Sequence, residues 1–386
     1  MPIPSISWVV AVVLLSLVLP PPGPVDFSQN WLAPLELAAT IVPPLQPGAR
    51  SFQRLVELGR PGINLERPRV LGYYAEDYPG DYRALASVIG NRSHLDYIGT
   101  FQYHINGQGQ LDGQNLLAFD LYRRQAGIPT LALIHNFSRG GFDAESAREL
   151  LSDAANRERA IAAIGRLVER LDYAGVIIDL EAVPPDQREN LTAFIAALRE
   201  TLAPNGKLLA MAVPAKTRDN RESKWSGAFD YQALGRYVDI MQLMTYDEHW
   251  IDGGPGPIAS NEWVVKVLNY ATRLVPRERI YLGIAGYAYV WPEGQRGFGW
   301  SAVKAISYAR DNGLEVVRPP HSPTPRYWFE KDGRRHEVHY EDGESARLKL
   351  RLARLYGLGG VALWRLGLED RTFWEAVNTE LGLSGR

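Results

Sequence analysis

From Arg69 onward, short apolar runs of strand length alternate with longer runs whose apolar residues recur every three or four positions. RVLGYYA precedes DYRALASVIG, LDYIGTFQYHI precedes LLAFDLYRRQAG, and IPTLALIHNF precedes AESARELLSDAANRERAIAAIGRLVERL. AGVIIDLE is followed by DQRENLTAFIAALRETLA, KLLAMAVPA by DYQALGRY, and VDIMQLMTYD by NEWVVKVLNYATRLV. RIYLGIAGYAYVW reaches its helix, ESARLKLRLARLYG, only after an irregular stretch, and GGVALWRLG with RTFWEAVNTELG closes the series. Eight strand–helix units over about 320 residues predict an α/β fold, a (β/α)8 barrel. An open doubly wound sheet would be expected to carry a glycine-rich loop after its first strand, and there is none. Within the irregular stretch, RYWFEKDGRRHEVHYED alternates around KDGR and predicts a hairpin inserted between the seventh strand and its helix.

The fourth strand breaks its own pattern. In YAGVIIDLEAVPP, Val176, Ile178 and Leu180 share one face of an otherwise apolar strand, while Ile177, Asp179 and Glu181 share the other. The two carboxylates stand roughly 6–7 Å apart along the strand. Acids at such a place are paired or used, because an unpartnered buried charge is costly. In a parallel barrel, chemistry gathers where the strands end, and polar and aromatic residues concentrate there. They are Tyr73, Tyr74 and Glu76 after the first strand, Tyr103 and His104 after the second, and His135 and Asn136 after the third. Tyr246, Asp247 and Glu248 follow the sixth, Tyr287 and Tyr289 the seventh, and Trp364 the eighth.

Plainer readings stand beside these. Asp179 and Glu181 also suit a buried ion pair with an arginine, Asp247 a helix cap beside a core tyrosine, and Trp364 simple packing. His104, His135 and His249 follow three different strands without paired spacing, which favours hydrogen-bonding roles over metal ligation. In the insertion, Trp328, Tyr340 and Asp342 either reach a substrate or hold the hairpin down.

Composition narrows the classes. A net charge of −2 over 386 residues gives no electrostatic basis for binding nucleic acid. With no cysteine there is no thiolate ligand, thiol nucleophile or disulfide, and no cofactor or metal is implied. ISWVVAVVLLSLVLP is an uncharged apolar run of about 15 residues, with no Lys or Arg before Arg50. Residues 1–19 are therefore expected to act as a signal peptide or membrane anchor, residues 20–68 as a proline-rich linker, and residues 69–386 as the barrel. The expected location is extracytoplasmic, with the N-terminal segment directed to the membrane.

Taken together, GVIIDLEAVPP, LAMAVPAKT, LMTYDEHWIDGGPGPIAS and GGVALWRLG resemble glycoside hydrolase family 18, in particular its spore-germination and cortex-lytic branch, from about Val70 to Trp374. The resemblance implies a glycosidase acting on β-linked N-acetylglucosamine in peptidoglycan or a chitin-like glycan. It implies catalytic roles for Glu181 as proton donor, Asp179 as holder of the substrate's acetamido group, and Tyr246 as donor to the acetamido oxygen. Trp364 would be the floor under the reacting sugar, and Tyr73, Tyr74, Tyr103, Asp247 and Tyr287 would contact substrate. The family's D-x-x-D-x-D-x-E pattern falls here on Ala174, Ile177, Asp179 and Glu181, so the first two acids are replaced.

Overall fold

The computed structural model describes residues 67–382 apart from 115, 139 and 320–323. The apolar N-terminal run and nearly all of the proline-rich segment lie outside the described residues. Among the described residues, no helix is long and apolar enough to cross a membrane. Two residues before the first strand, the Arg67 guanidinium grips both carboxylate oxygens of Asp96 at 2.7 and 2.8 Å.

Eight parallel strands close on themselves: β1 Arg69–Tyr74, β2 Tyr97–Ile105, β3 Thr130–His135, β4 Gly175–Asp179, β5 Leu208–Pro214, β6 Ile240–Met244, β7 Ile280–Ala285 and β8 Gly360–Trp364. Closure is the pairing of β8 with β1, in which Arg69 stands beside Gly360 and Gly72 beside Leu363. Strand alternation divides the apolar residues into two cores. Leu71, Tyr73, Leu131, Leu133, Ile177, Ala210, Ile240, Tyr281 and Ala362 fill the barrel. Val176, Ile178 and Leu180 face outward, into the layer shared with the helices. Gly99 in β2 is required by this filling. A Cβ there would lie 2.5 Å from the Ile177 Cδ1, so the inner isoleucine occupies the space that glycine leaves.

The helices follow the strands as the pattern predicts, with one difference. The long run after β3 is two helices, Ala144–Ser152 and Ala154–Arg170. Asp153 between them is extended, and its carboxylate accepts the Ala155 and Asn156 N–H groups, starting a new helix instead of continuing the old one.

The predicted hairpin forms, from Arg326–Lys331 and Arg334–Tyr340, with Asp332 and Gly333 both at positive φ as a two-residue turn of this kind demands. It belongs to a larger unit. Tyr287–Pro292 and Phe298–Ser301 complete a four-stranded antiparallel sheet, and helix Ala302–Asp311 packs on it through Ala305 and Ala309. The run RIYLGIAGYAYVW is thus two strands, broken at Gly286, whose N–H donates to the Trp364 carbonyl at 2.7 Å. Tyr340 is buried in this sheet's core, and Asp342 caps helix Gly343–Leu355 in a capping box with Ser345. The guanidinium groups of Arg326 and Arg335 both stand over the Trp328 ring, at 5.0 and 5.2 Å. All three hold the insertion together.

Candidate active site

Asp179 is the last residue of β4, and Glu181 follows after one residue that turns back into the helix layer. Both acids are buried, and Asp179 Oδ1 has no hydrogen-bond partner. Among the described residues no arginine or lysine pairs with either carboxylate, so the buried ion-pair reading fails. What holds Glu181 is its backbone. Asn136, just beyond β3, accepts the Glu181 N–H at 3.0 Å and donates to the Glu181 carbonyl at 2.9 Å. The same Asn136 amide donates to the Asp143 carbonyl at 3.0 Å, tying the loop after β3 to the acid. Ala182 then takes a positive φ of 53°, a left-handed step that carries the chain off the strand. Asn136 was visible in the sequence as a strand-end residue, but nothing there assigned it this clamp.

Tyr246 and Asp247 lie just past β6. Tyr246 is close enough to Asp179, Glu181 and Asp247 for all three to raise its phenol pKa, though burial raises it most. Gly283 in β7 makes room for it, since a Cβ there would stand 2.9 Å from the Tyr246 ring. Asp247 has a φ of 60°, and one of its carboxylate oxygens accepts hydrogen bonds from both Tyr287 and Tyr289, the latter at 2.8 Å. It caps no helix, because Ser260 caps Asn261–Ala271. Burial of its carboxyl in the cleft raises the Asp247 pKa, while the two tyrosine hydroxyls oppose the rise.

Trp364 ends β8 half-buried, with Tyr73 and Phe101 edge-on to it at 5.3 and 5.6 Å. Its ring joins Tyr246, Tyr287 and Tyr289 around Ile258 and Ala285. One surface therefore carries both acids, Tyr246, Asp247, Tyr287, Tyr73 and Trp364. Tyr289 and Asn136, which the sequence places at strand ends without a specific role, also serve that surface.

Two expected contacts are not brought to the cleft. Tyr74 follows inward-facing Tyr73 on β1 and so must face outward; it stacks on Phe119 at 4.0 Å and donates to Glu76. Tyr103 is turned outward by a register shift between Phe101 and Tyr103, where β2 bulges against β3. Its hydroxyl meets that of Tyr173 at 2.9 Å in the helix layer. Among the described residues no group of three His, Cys, Asp or Glu side chains is placed to hold a metal.

Burial pushes the Asp179 carboxyl up to about 7, and burial, then Asp179, then Asp247 push Glu181 well above the usual carboxylate range. The pair thus keeps a proton near neutral pH, which is the condition a general acid needs. A carboxyl raised in the folded state binds more protons there than in the unfolded chain. Its unfavourable contribution is absent below about pH 4 and grows as pH rises toward 7. Asp179→Asn, which cannot ionise, is expected to lose less stability than the parent over that window. Melting temperature against pH for both proteins measures this, and parallel curves would place the buried charge elsewhere.

Residues 81–369 match the family model described as glycosyl hydrolases family 18. The putative sporulation-specific glycosylase YdhD of Bacillus subtilis is 30% identical over 341 residues, covering 87% of this chain and 80% of that protein. The crystal structure of the Bacillus cereus spore cortex-lytic enzyme SleL superposes with a TM-score of 0.76 at 26% identity, over 82% of this chain and 74% of that one. A chitinase from Chromobacterium violaceum gives 0.75 at 29% identity, over 83% and 100%.

Proposed function

This chain belongs to glycoside hydrolase family 18, and from that membership we propose that it hydrolyses β-linked N-acetylglucosamine in a cell-wall or spore-cortex polymer. The observation that carries the reading is the placement of Asp179, Glu181 and Tyr246 around one cleft floored by Trp364. The relatives named for cortex lysis and for chitin share this fold and give the substrate class.

Glu181, kept protonated by its surroundings, gives its proton to the glycosidic oxygen as the bond from the anomeric carbon to that oxygen breaks. The nucleophile is the substrate's own acetamido oxygen, which closes a ring on the anomeric carbon, so configuration is retained without an enzyme nucleophile. Tyr246 donates its O–H to that oxygen, and ionised Asp179 accepts the acetamido N–H as positive charge develops on the ring. Water then attacks the anomeric carbon, returning its proton to Glu181 and restoring the amide. The indole of Trp364 supplies the apolar face on which the reacting sugar lies.

Mass analysis of products from chitin oligomers and from peptidoglycan, with NMR of the first anomer formed, tests the reading. Expected are fragments ending in a reducing N-acetylglucosamine, formed first as the β anomer. A competing reading, a barrel that binds glycan without turnover, draws on the hydrocarbon beneath Asp179 and its orphaned Oδ1. Binding with no product on either polymer would select it.

The apolar run at 6–20 and the proline-rich stretch after it further suggest that the enzyme works outside the cytoplasm, attached to the membrane or released from it. Fractionation of cells producing the full chain is expected to place it in the membrane or exported pool. Recovery wholly in the cytosol would overturn this location.

A further inference from the structure

We propose that His135 is a substrate-binding residue of this cleft, donating a hydrogen bond from Nε2 to an uncharged acceptor oxygen on the N-acetylated sugar beside Asp179. The inference rests on the reading of the cleft given above and adds to it a contact on the β3 side.

His135 ends β3, in register with Asp179 on β4 and with His104 on β2. In-register residues of neighbouring parallel strands point to the same side of the sheet. The imidazole therefore faces the space that Asp179 faces. It lies flat on Phe101, 4.0 Å away with 4° between the planes, and Phe101 is edge-on to Trp364. A rigid stack thus fixes the ring from one side, next to the sugar floor.

The other constraint is the tautomer. Nδ1 accepts the Phe137 N–H at 3.1 Å, so in the neutral ring the hydrogen must sit on Nε2. Burial, with the neighbouring His104, pushes the imidazole pKa down to about 4, which keeps it neutral where the enzyme works. Only 7% of the residue is exposed, yet no described residue accepts from Nε2. Nε2 itself is not sealed from solvent: it opens on the cleft, where a ligand oxygen can take the place of water as its acceptor. The acceptor must be uncharged, because a neutral imidazole among carboxylates offers an anion too little. Sugar hydroxyl, ether and acyl oxygens all have the required chemistry.

The bland alternative is that His135 serves only to tie the loop through Nδ1. Two substitutions separate the roles. His135→Asn retains an acceptor near the Nδ1 position and lacks the reach of Nε2, while His135→Gln places an amide donor near Nε2. Both are made in the full chain carrying Glu181→Gln, so that chitotetraose is bound and not consumed, and affinity is read by calorimetry. Loss of one uncharged hydrogen bond is expected to weaken binding about 3- to 10-fold in His135→Asn. His135→Gln is expected to stay within about twofold of the parent. Equal affinity of His135→Asn and the parent overturns the inference alone, and so does an equal loss in both variants. A parent that binds neither chitin oligomers nor peptidoglycan fragments overturns the reading of the cleft and this inference with it.

Discussion

Glu181→Gln is expected to lower turnover by about 10²–10⁴-fold while leaving glycan affinity and stability close to those of the parent. The amide fills the space of the carboxyl and cannot donate the proton that the leaving oxygen needs. Folding should tolerate the change because Glu181 is already held uncharged by burial and by the two aspartates near it. The backbone clamp from Asn136 uses the Glu181 N–H and carbonyl, which the substitution keeps. Stability is expected to stay level or to rise at alkaline pH, since a buried carboxyl that can ionise is replaced by a group that cannot. Turnover on a chitin oligomer, affinity for the same oligomer and melting temperature together decide the matter. An active variant would remove Glu181 from the role of acid, whereas inactivity with lost binding would make it a substrate anchor instead.

The barrel was legible because its strands are apolar on both faces and each is followed by a helix of the right period. The phase of β4 was legible too: Ile177 and Asp179 face inward, and Val176 and Ile178 face the helices. Strand phase also decides Tyr73 against Tyr74, since adjacent residues cannot share a face, and only Tyr73 reaches the interior. Tyr103 was not legible. Its direction depends on a bulge at Phe101 to Tyr103 that appears only when β2 is laid against β3. Likewise, nothing local marks Gly286 as the point where one apolar run leaves the barrel; the Trp364 carbonyl, from another strand, settles it. The Asn136 clamp joins residues 45 apart in sequence, and spacing along the chain holds no trace of it. Local chemistry therefore places the proposed reacting groups, and long-range contacts place the groups that hold them.

Ile177 bears most directly on how well those groups work. It lies in the barrel one pleat below Asp179, about 7 Å along the strand, beside Leu133 on β3 and Ala210 on β5. Hydrocarbon therefore underlies the carboxylate proposed to hold the substrate, and Asp179 Oδ1 is left without a partner. Ile177→Asp puts a second carboxyl within reach of that oxygen. Protonated, the new carboxyl donates to Asp179 and stabilises its anion. A hydrogen bond to a charged group is worth about 1.5–3 kcal/mol, which moves the Asp179 pKa down by about 1–2 units. Asp179 must ionise to accept the acetamido N–H, so the acid limb of the rate profile is expected to move down by a similar amount, with faster turnover below neutrality. Space is no obstacle, because aspartate is smaller than isoleucine and Gly99 already leaves room there. Losing the apolar filling and burying a carboxyl should lower stability by about 2–4 kcal/mol. Hydrolysis rate against pH on a chitin oligomer, for parent and variant, carries the test. A shifted limb makes the inner isoleucine a brake on the chemistry. A rate profile unchanged beside a lowered melting temperature would mean that Ile177 acts through packing alone, and that Asp179 needs no partner below it.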